Sequence, residues 1–343
     1  MTVSEFSAAA AAAPGFEGTE VFSSVEEEHA AIHGAVAAVD RSARLRVVFA
    51  GANAAETLTG LLTNDVLALR PGAGQYAAAL TPKGKVIADV RIFARNGDFV
   101  VDAGAAAAPG FSAMVRKFVN PRLARFSDVS GSLRTIGVFG PRARTVLAAA
   151  LGADGAALAE LAPYHHATLA LDGAQVFAAA VPDLGVEGFD LFVPEGSASA
   201  LWARLVASGA VSAGSLAADI ARIEAGRPLW GVDMDETTLA AEANLDALGG
   251  VSYTKGCYTG QETVARVHFR GHVNRSLRAV RSAVPAPRGA RLFGPDGECG
   301  DVRSSVVSPR SGPLAIAMLR REVTSGSDLA ARWDGGECVV SVS

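Results

Sequence analysis

A chain of 343 residues exceeds the roughly 250–300 at which a single hydrophobic core stops growing, so two or three domains are expected. Half of its residues are apolar and 19% are charged, a globular composition, and a formal net charge of -4 excludes a surface built as a whole to neutralise phosphates. Three cysteines without a CxxC spacing exclude a disulfide framework and a sequence-local metal cluster, and they suit a reducing compartment.

Residues 1–20 contain an alanine run that lacks the basic flank and the apolarity of a secretory signal, and they read as a disordered leader. No run of about 18 strongly apolar residues occurs, so no membrane helix and a cytoplasmic address are expected. A helix is predicted from Ser23 or Ser24 as N-cap to near Asp40, with Glu26, Glu27 and Glu28 in its first turn and Ala31, Ile32, Val36 and Val39 as its apolar face. A strand from Leu45 to Phe49, a turn at Gly51 and a helix through Leu58, Leu61 and Leu62 follow.

The segment VVFAGANAAETL at 47–58 is echoed by GVFGPRARTVL at 137–147. Either the two halves are duplicated α+β units, or a common strand–turn–helix unit occurs twice. Between them, residues 74–103 read as sheet, with turns at Pro82-Lys83-Gly84 and Asn96-Gly97-Asp98. Alternation there puts Val86, Ala88, Val90 and Ile92 on one face and Ile87, Asp89, Arg91 and Phe93 on the other. An ion pair with Arg91 is one reading of Asp89.

A helix is predicted between Ser215 and Gly226, with Leu216, Ile220 and Ile223 on its buried stripe. Arg222 and Glu224, two apart on it, cannot both face one pocket. From Val273 onward, short apolar runs broken by PAPRG, GPDG, SPRSGP and WDGGE have the spacing of a small β-barrel or sandwich.

Chemistry is densest in GGVSYTKGCYTGQETVARVHFRG at 249–271. Thr259 and Glu262 have the spacing of a capping box, which places Cys257 just before a helix N-terminus and beside Lys255, where a thiolate is favoured. The alternative is a small hydrophobe in a tight turn. Among the six histidines, His165-His166 and His268/His272 are the only suggestive pairs, the second is interrupted by Gly271, and no metal site is expected.

The run Lys255-Gly256-Cys257-Tyr258-Thr259-Gly260-Gln261-Glu262, with Arg266 beyond it, resembles the K-G-C-Y-x-G-Q-E-x-x-x-R signature of the YgfZ family. The similarity continues through ANLDALGGVSYT, RIEAGRPLWGVD, LLTNDV, Tyr76 and TPKGKVIAD. The resemblance implies an α+β fold like the glycine-cleavage T protein, with two related subdomains and a C-terminal β-barrel around a central folate pocket. On this basis residues 21–130 and 131–272 are the two subdomains, the second carrying the KGCYTGQE segment, and 273–343 is the barrel.

The implied cofactor is tetrahydrofolate or a derivative. Asp89 matches an acidic position beside the reactive nitrogens of folate, although Ala88 stands where T proteins usually carry a second acid. The resemblance adds Tyr76, Arg227, Lys255, Tyr258 and Gln261 as folate-binding residues. In VEGFDLFVP the family's pterin-contacting glutamate falls on Val186, so Glu187 replaces it only if the strand bulges.

The implied function is support of iron–sulfur enzyme assembly or repair, with a link to tRNA modification and with Cys257 as the working thiol beside the catalytic Asp89. Its partners would be folate and iron–sulfur client or assembly proteins, without membrane or direct nucleic-acid contact. The alternatives are an aminomethyltransferase of glycine-cleavage type and a non-catalytic folate-binding scaffold.

Overall fold

The computed structural model describes residues 19–152, 157–158 and 160–343, so the expected leader lies outside the described residues except for its last two positions. The first helix, α1 (Val25–Gly34), starts as expected: the Ser24 side chain accepts from the Glu27 amide. The Glu28 carboxylate is buried and accepts from the amides of Phe22, Ser23 and Gly214, which ties the helix start to a distant segment. The helix ends six residues earlier than predicted. Val36 and Val39 flank and enter a strand, β1 (Ala37–Asp40), because that short apolar run satisfies strand alternation as well as helical spacing, and a neighbouring sheet offers it backbone partners.

The first sheet contains β2 (Leu45–Ala50), β3 (Gly74–Leu80), β4 (Val86–Ala94), β5 (Asp98–Ala103) and β6 (Arg125–Asp128), in the order β3-β4-β5-β2-β6. Helices α2 (Ala54–Leu61) and α3 (Ala108–Phe118) cover its outer face, burying Phe49, Leu58, Val90, Ile92 and Phe111. The second sheet contains β7 (Leu133–Phe139), β8 (His166–Leu171), β9 (Ala174–Ala180), β10 (Gly188–Pro194) and β11 (Val211–Ala213), in the order β11-β1-β7-β10-β9-β8. Its outer face is covered by α4 (Ala143–Leu151) and α5 (Glu195–Ala207), with Trp202 fully buried.

The two echoed segments fold alike. In each a strand runs through a glycine into a helix, and Gly51 and Gly140 both take positive φ, 124° and 135°. At Gly140 a Cβ would lie 2.5 Å from the Ala35 carbonyl oxygen, so this turn needs glycine for space as well as for conformation.

The inner faces of the two sheets meet at a cluster of Phe93, Phe177 and Phe192, with ring centroids 5.2–5.9 Å apart. The helix α6 (Ser215–Glu224) packs on α1 beside this junction. After a long irregular stretch comes α7 (Gln261–Arg270). Strands β12 (Arg275–Ser282), β13 (Arg291–Gly294), β14 (Gly297–Ser308), β15 (Gly312–Arg320), β16 (Asp328–Trp333) and β17 (Gly336–Val342) then close into a barrel, as the turn spacing anticipated. Among the described residues no helix is long and apolar enough to cross a membrane.

The β3–β4 pairing shifts register between Ala79 and Leu80, where Leu80 pairs Val86 and Ala79 pairs Ala88. This bulge corrects the predicted alternation. Ile87 packs towards the outer core with Val90, while Val86 turns to the side of Tyr76 and Leu80. Asp89 and Arg91 remain on the inner side, as expected.

Candidate functional site

A cavity of about 270 Å³ opens between the inner sheet faces and α6. Apolar walls come from Val39, Phe139, Leu184, Ala218 and Leu229, and polar groups from Asp89, Tyr76, Arg44, Asp183 and Arg227. That volume is just below the roughly 300–1,000 Å³ of a drug-sized ligand site, so it encloses a ring system and leaves the rest of a longer ligand in the mouth.

Asp89 is half-buried in this wall and receives a hydrogen bond from the Tyr76 hydroxyl at 3.0 Å. Among the described residues it is in no ion pair: Arg91, which one reading of the sequence paired with it, turns to Asp102, Asp183 and Asp190. Burial pushes the Asp89 carboxyl upward, and the field of Arg44 and the Tyr76 hydrogen bond only partly offset it. Tyr76 is itself pushed up, by burial and then by Asp89. Its ring stacks on Tyr164 at 6.3 Å and 11°; burial pushes the Tyr164 phenol up, and the field of Arg227 partly offsets this. Asp89, Tyr76 and Arg227 line the same cavity.

Along one side of the cavity runs an ionic lattice that local sequence spacing did not reveal, with Arg41, Arg44, Arg91 and Asp183 in the lining. Buried Arg91 donates to Asp190 at 2.6 Å, Asp102 at 3.0 Å and Asp183 at 3.0 Å, while Arg41 reaches Asp183 and Asp190 and Arg44 reaches Asp102. Three guanidinium groups balance three carboxylates, as burial at a sheet interface requires. These bonds fix β4 against β10 and hold Asp89 in register.

Arg222 and Glu224 diverge, as their spacing required. Arg222 joins Asp219, Asp233, Ser304 and the Arg227 carbonyl, bracing the cavity wall against the barrel. Glu224 faces α1 instead.

The remaining expected site residues stand outside the cavity lining. The Glu187 carboxylate pairs with Arg144 at 2.6 Å. Glu187 precedes β10, and its side chain is drawn to Arg144. Lys255 donates to the carbonyls of Thr59 and Leu62 at the end of α2, and burial lowers its pKa to about 8. Its ammonium lies 4.4 Å from the centroid of the buried Tyr258 ring, and burial pushes the Tyr258 phenol up to about 12. Gln261 accepts from the Tyr258 amide at 3.2 Å. Cys257 is exposed.

The expected capping box is also absent. The residue before α7 is Gly260 at φ 85°, without a side-chain cap, so Thr259 is not the N-cap. A Cβ on Gly260 would lie 2.6 Å from the Thr81 carbonyl oxygen, because the β3–β4 hairpin packs against this turn. Much of the KGCYTGQE segment thus clasps α2 and the hairpin. Gly260→Ala should destabilise the fold by about 1–3 kcal/mol, read from a urea midpoint; an unchanged midpoint would show that the clasp contributes nothing.

Residues 2–252 match the family described as the GCVT N-terminal domain. The aminomethyltransferase of Rubrobacter xylanophilus is 28% identical over 331 residues, covering 93% of this chain and 85% of that protein. Those of Ralstonia pickettii and Parafrankia sp. are 30% and 31% identical, covering 88% and 92% of this chain and 84% and 86% of their own lengths. The crystal structure of glycine cleavage system aminomethyltransferase T from Bartonella henselae matches with a TM-score of 0.84 over 95% of this chain and 93% of that one, at 23% identity, a likeness of fold.

Proposed function

The chain belongs to the GCVT domain family, and from that premise we propose that it is a tetrahydrofolate-binding aminomethyltransferase of the glycine-cleavage T-protein type. The observation that carries this reading is Asp89: a carboxylate in no ion pair among the described residues, held by Tyr76 in the cavity wall and with a raised pKa. Folate fits the recess chemically, since a flat pterin needs apolar walls and an acceptor, and its glutamate tail needs a cation, which Arg227 in the lining can supply.

When bound, the cofactor supplies the nucleophilic nitrogens that take up a one-carbon unit. Asp89 orients them and exchanges a proton at its carboxylate, the Tyr76 hydrogen bond favours the ionised form against the effect of burial, and the apolar walls exclude water. The test is tetrahydrofolate-dependent ammonia release from an aminomethylated lipoyl carrier. No release by folded, folate-saturated protein would sink this reading.

A second reading, the YgfZ-type role in iron–sulfur enzyme assembly or repair, is favoured by the exposed Cys257 within KGCYTGQE. Cys257→Ala separates the two. It leaves ammonia release within about twofold if catalysis rests on positioning in the cavity, whereas loss of iron–sulfur enzyme activity in cells carrying the variant would support the thiol role.

A further inference from the structure

We propose that His29, His33 and Glu224 form a binding site for a divalent transition-metal cation of the zinc class, where α1, α6 and the barrel meet. The two histidines are one helical turn apart on α1 and project from the same face, with ring centroids 4.4 Å apart. Their Nε2 atoms converge on a single oxygen: Glu224 Oε2 lies 3.1 Å from His29 and 2.8 Å from His33. One ligand atom from each residue falls within 4.8 Å of the other two. Nitrogen and oxygen ligands about 2.0–2.2 Å from a tetrahedral cation stand on the order of 3.4 Å apart, so small side-chain adjustments admit the ion.

His29 Nε2 is hydrogen-bonded to Glu224 Oε2, but direction sets His33 apart. Among the described residues His33 Nε2 has no hydrogen-bond partner of good geometry, although Glu224 Oε2 is only 2.8 Å away. A shared proton needs a near-linear N–H···O, whereas coordination needs lone pairs aimed at a common point off that line. The carboxylate is also held from behind, because its Oε1 accepts from the Ser308 hydroxyl on the barrel. A support of that kind orients a metal ligand. Glu224 and His29 are nearly buried, and three protein ligands leave one position for water.

A cation on Nε2 requires the ring proton on Nδ1. On His33 that atom faces Arg310 Nη1 at 3.4 Å, so two donors would oppose one another. Arg310 also stands 3.8 Å from Glu224 Oε2, and its side chain is 60% exposed. It therefore moves into solvent as the cation enters, and it weakens the site while it stays. Because α6 carries Ser215, Ala218, Asp219 and Arg222 of the cavity wall, the metal would pin that wall to α1 and the barrel without entering the chemistry.

The experiment is a titration of chelator-stripped, full-length protein with Zn²⁺ alone, against a chromophoric competitor, alongside thermal unfolding. The wild type should bind one equivalent and gain thermal stability. His33→Gln and Glu224→Gln should each weaken binding by at least about 10–100-fold, and Arg310→Ala should strengthen it severalfold. The proposal is overturned if the folded wild type takes up no Zn²⁺, if the equivalent survives both ligand substitutions, or if Arg310→Ala leaves the affinity unchanged or lowers it.

Discussion

Asp89→Asn should lower aminomethyl transfer by about 10²–10⁴-fold, the range associated with a positioned acid or base, while raising the unfolding midpoint at neutral pH. The two effects have one cause. Burial raises the folded pKa of Asp89 above its unfolded value, so what this group gives to stability is present at low pH and is lost as pH rises through the folded pKa. At pH 7 its charge costs stability, and the neutral amide removes that cost while still accepting from Tyr76. Activity has the opposite dependence, since it needs the carboxylate and fades as pH falls through the same raised pKa. Tyr76→Phe removes a hydrogen bond that lowers this pKa, so the acidic limb of the rate profile should move to higher pH. An Asp89→Asn protein that keeps its activity, or a Tyr76→Phe limb displaced to lower pH, would remove Asp89 from the mechanism.

Arg91→Met carries the largest expected cost in stability, about 3–5 kcal/mol, because it leaves buried Asp102 and Asp190, with Asp183 beside them, short of a positive charge. Adding Asp190→Asn to the same chain should restore part of that loss, since one uncompensated carboxylate is neutralised. Urea midpoints of the single and double variants measure both effects, and a cost below about 1 kcal/mol for Arg91→Met would show that the lattice does not hold the sheets together. Acid should act at the same place. Against the opposing effect of burial, Arg44 and Arg91 hold Asp102 below the usual carboxylate range, and Arg91, Arg41 and Arg44 do the same for Asp183. Their contribution is present above the unfolded value of 3.8 and is lost as pH falls below it towards the folded values.

The residues that could be read from sequence are those whose partners are close along the chain. Alternation around Asp89 identified its inner face, and glycine-bearing turns marked out the barrel. The bulge at Val86 and Ile87 escaped because its cause lies in the opposing strand. The end of α1 escaped because Val36 and Val39 fit either period, and β7 decided between them. Lys255 looked like an activator of Cys257, but its ammonium is engaged by α2 carbonyls 193 and 196 positions away. Arg91 meets Asp190 across 99 positions and Asp183 across 92, distances over which no local pattern operates. His29 and His33 have a legible i,i+4 spacing, but their third member, Glu224, lies 195 positions from His29, so the cluster is not local in sequence.

The most direct measurement is isothermal titration of full-length protein with tetrahydrofolate, repeated on Arg227→Ala and Cys257→Ala. The account predicts one saturable site per chain that is weakened at least tenfold by Arg227→Ala and left intact by Cys257→Ala, since Arg227 lines the cavity and Cys257 does not. Absence of binding by the folded wild type, or binding that depends on Cys257 and not on Arg227, would contradict it.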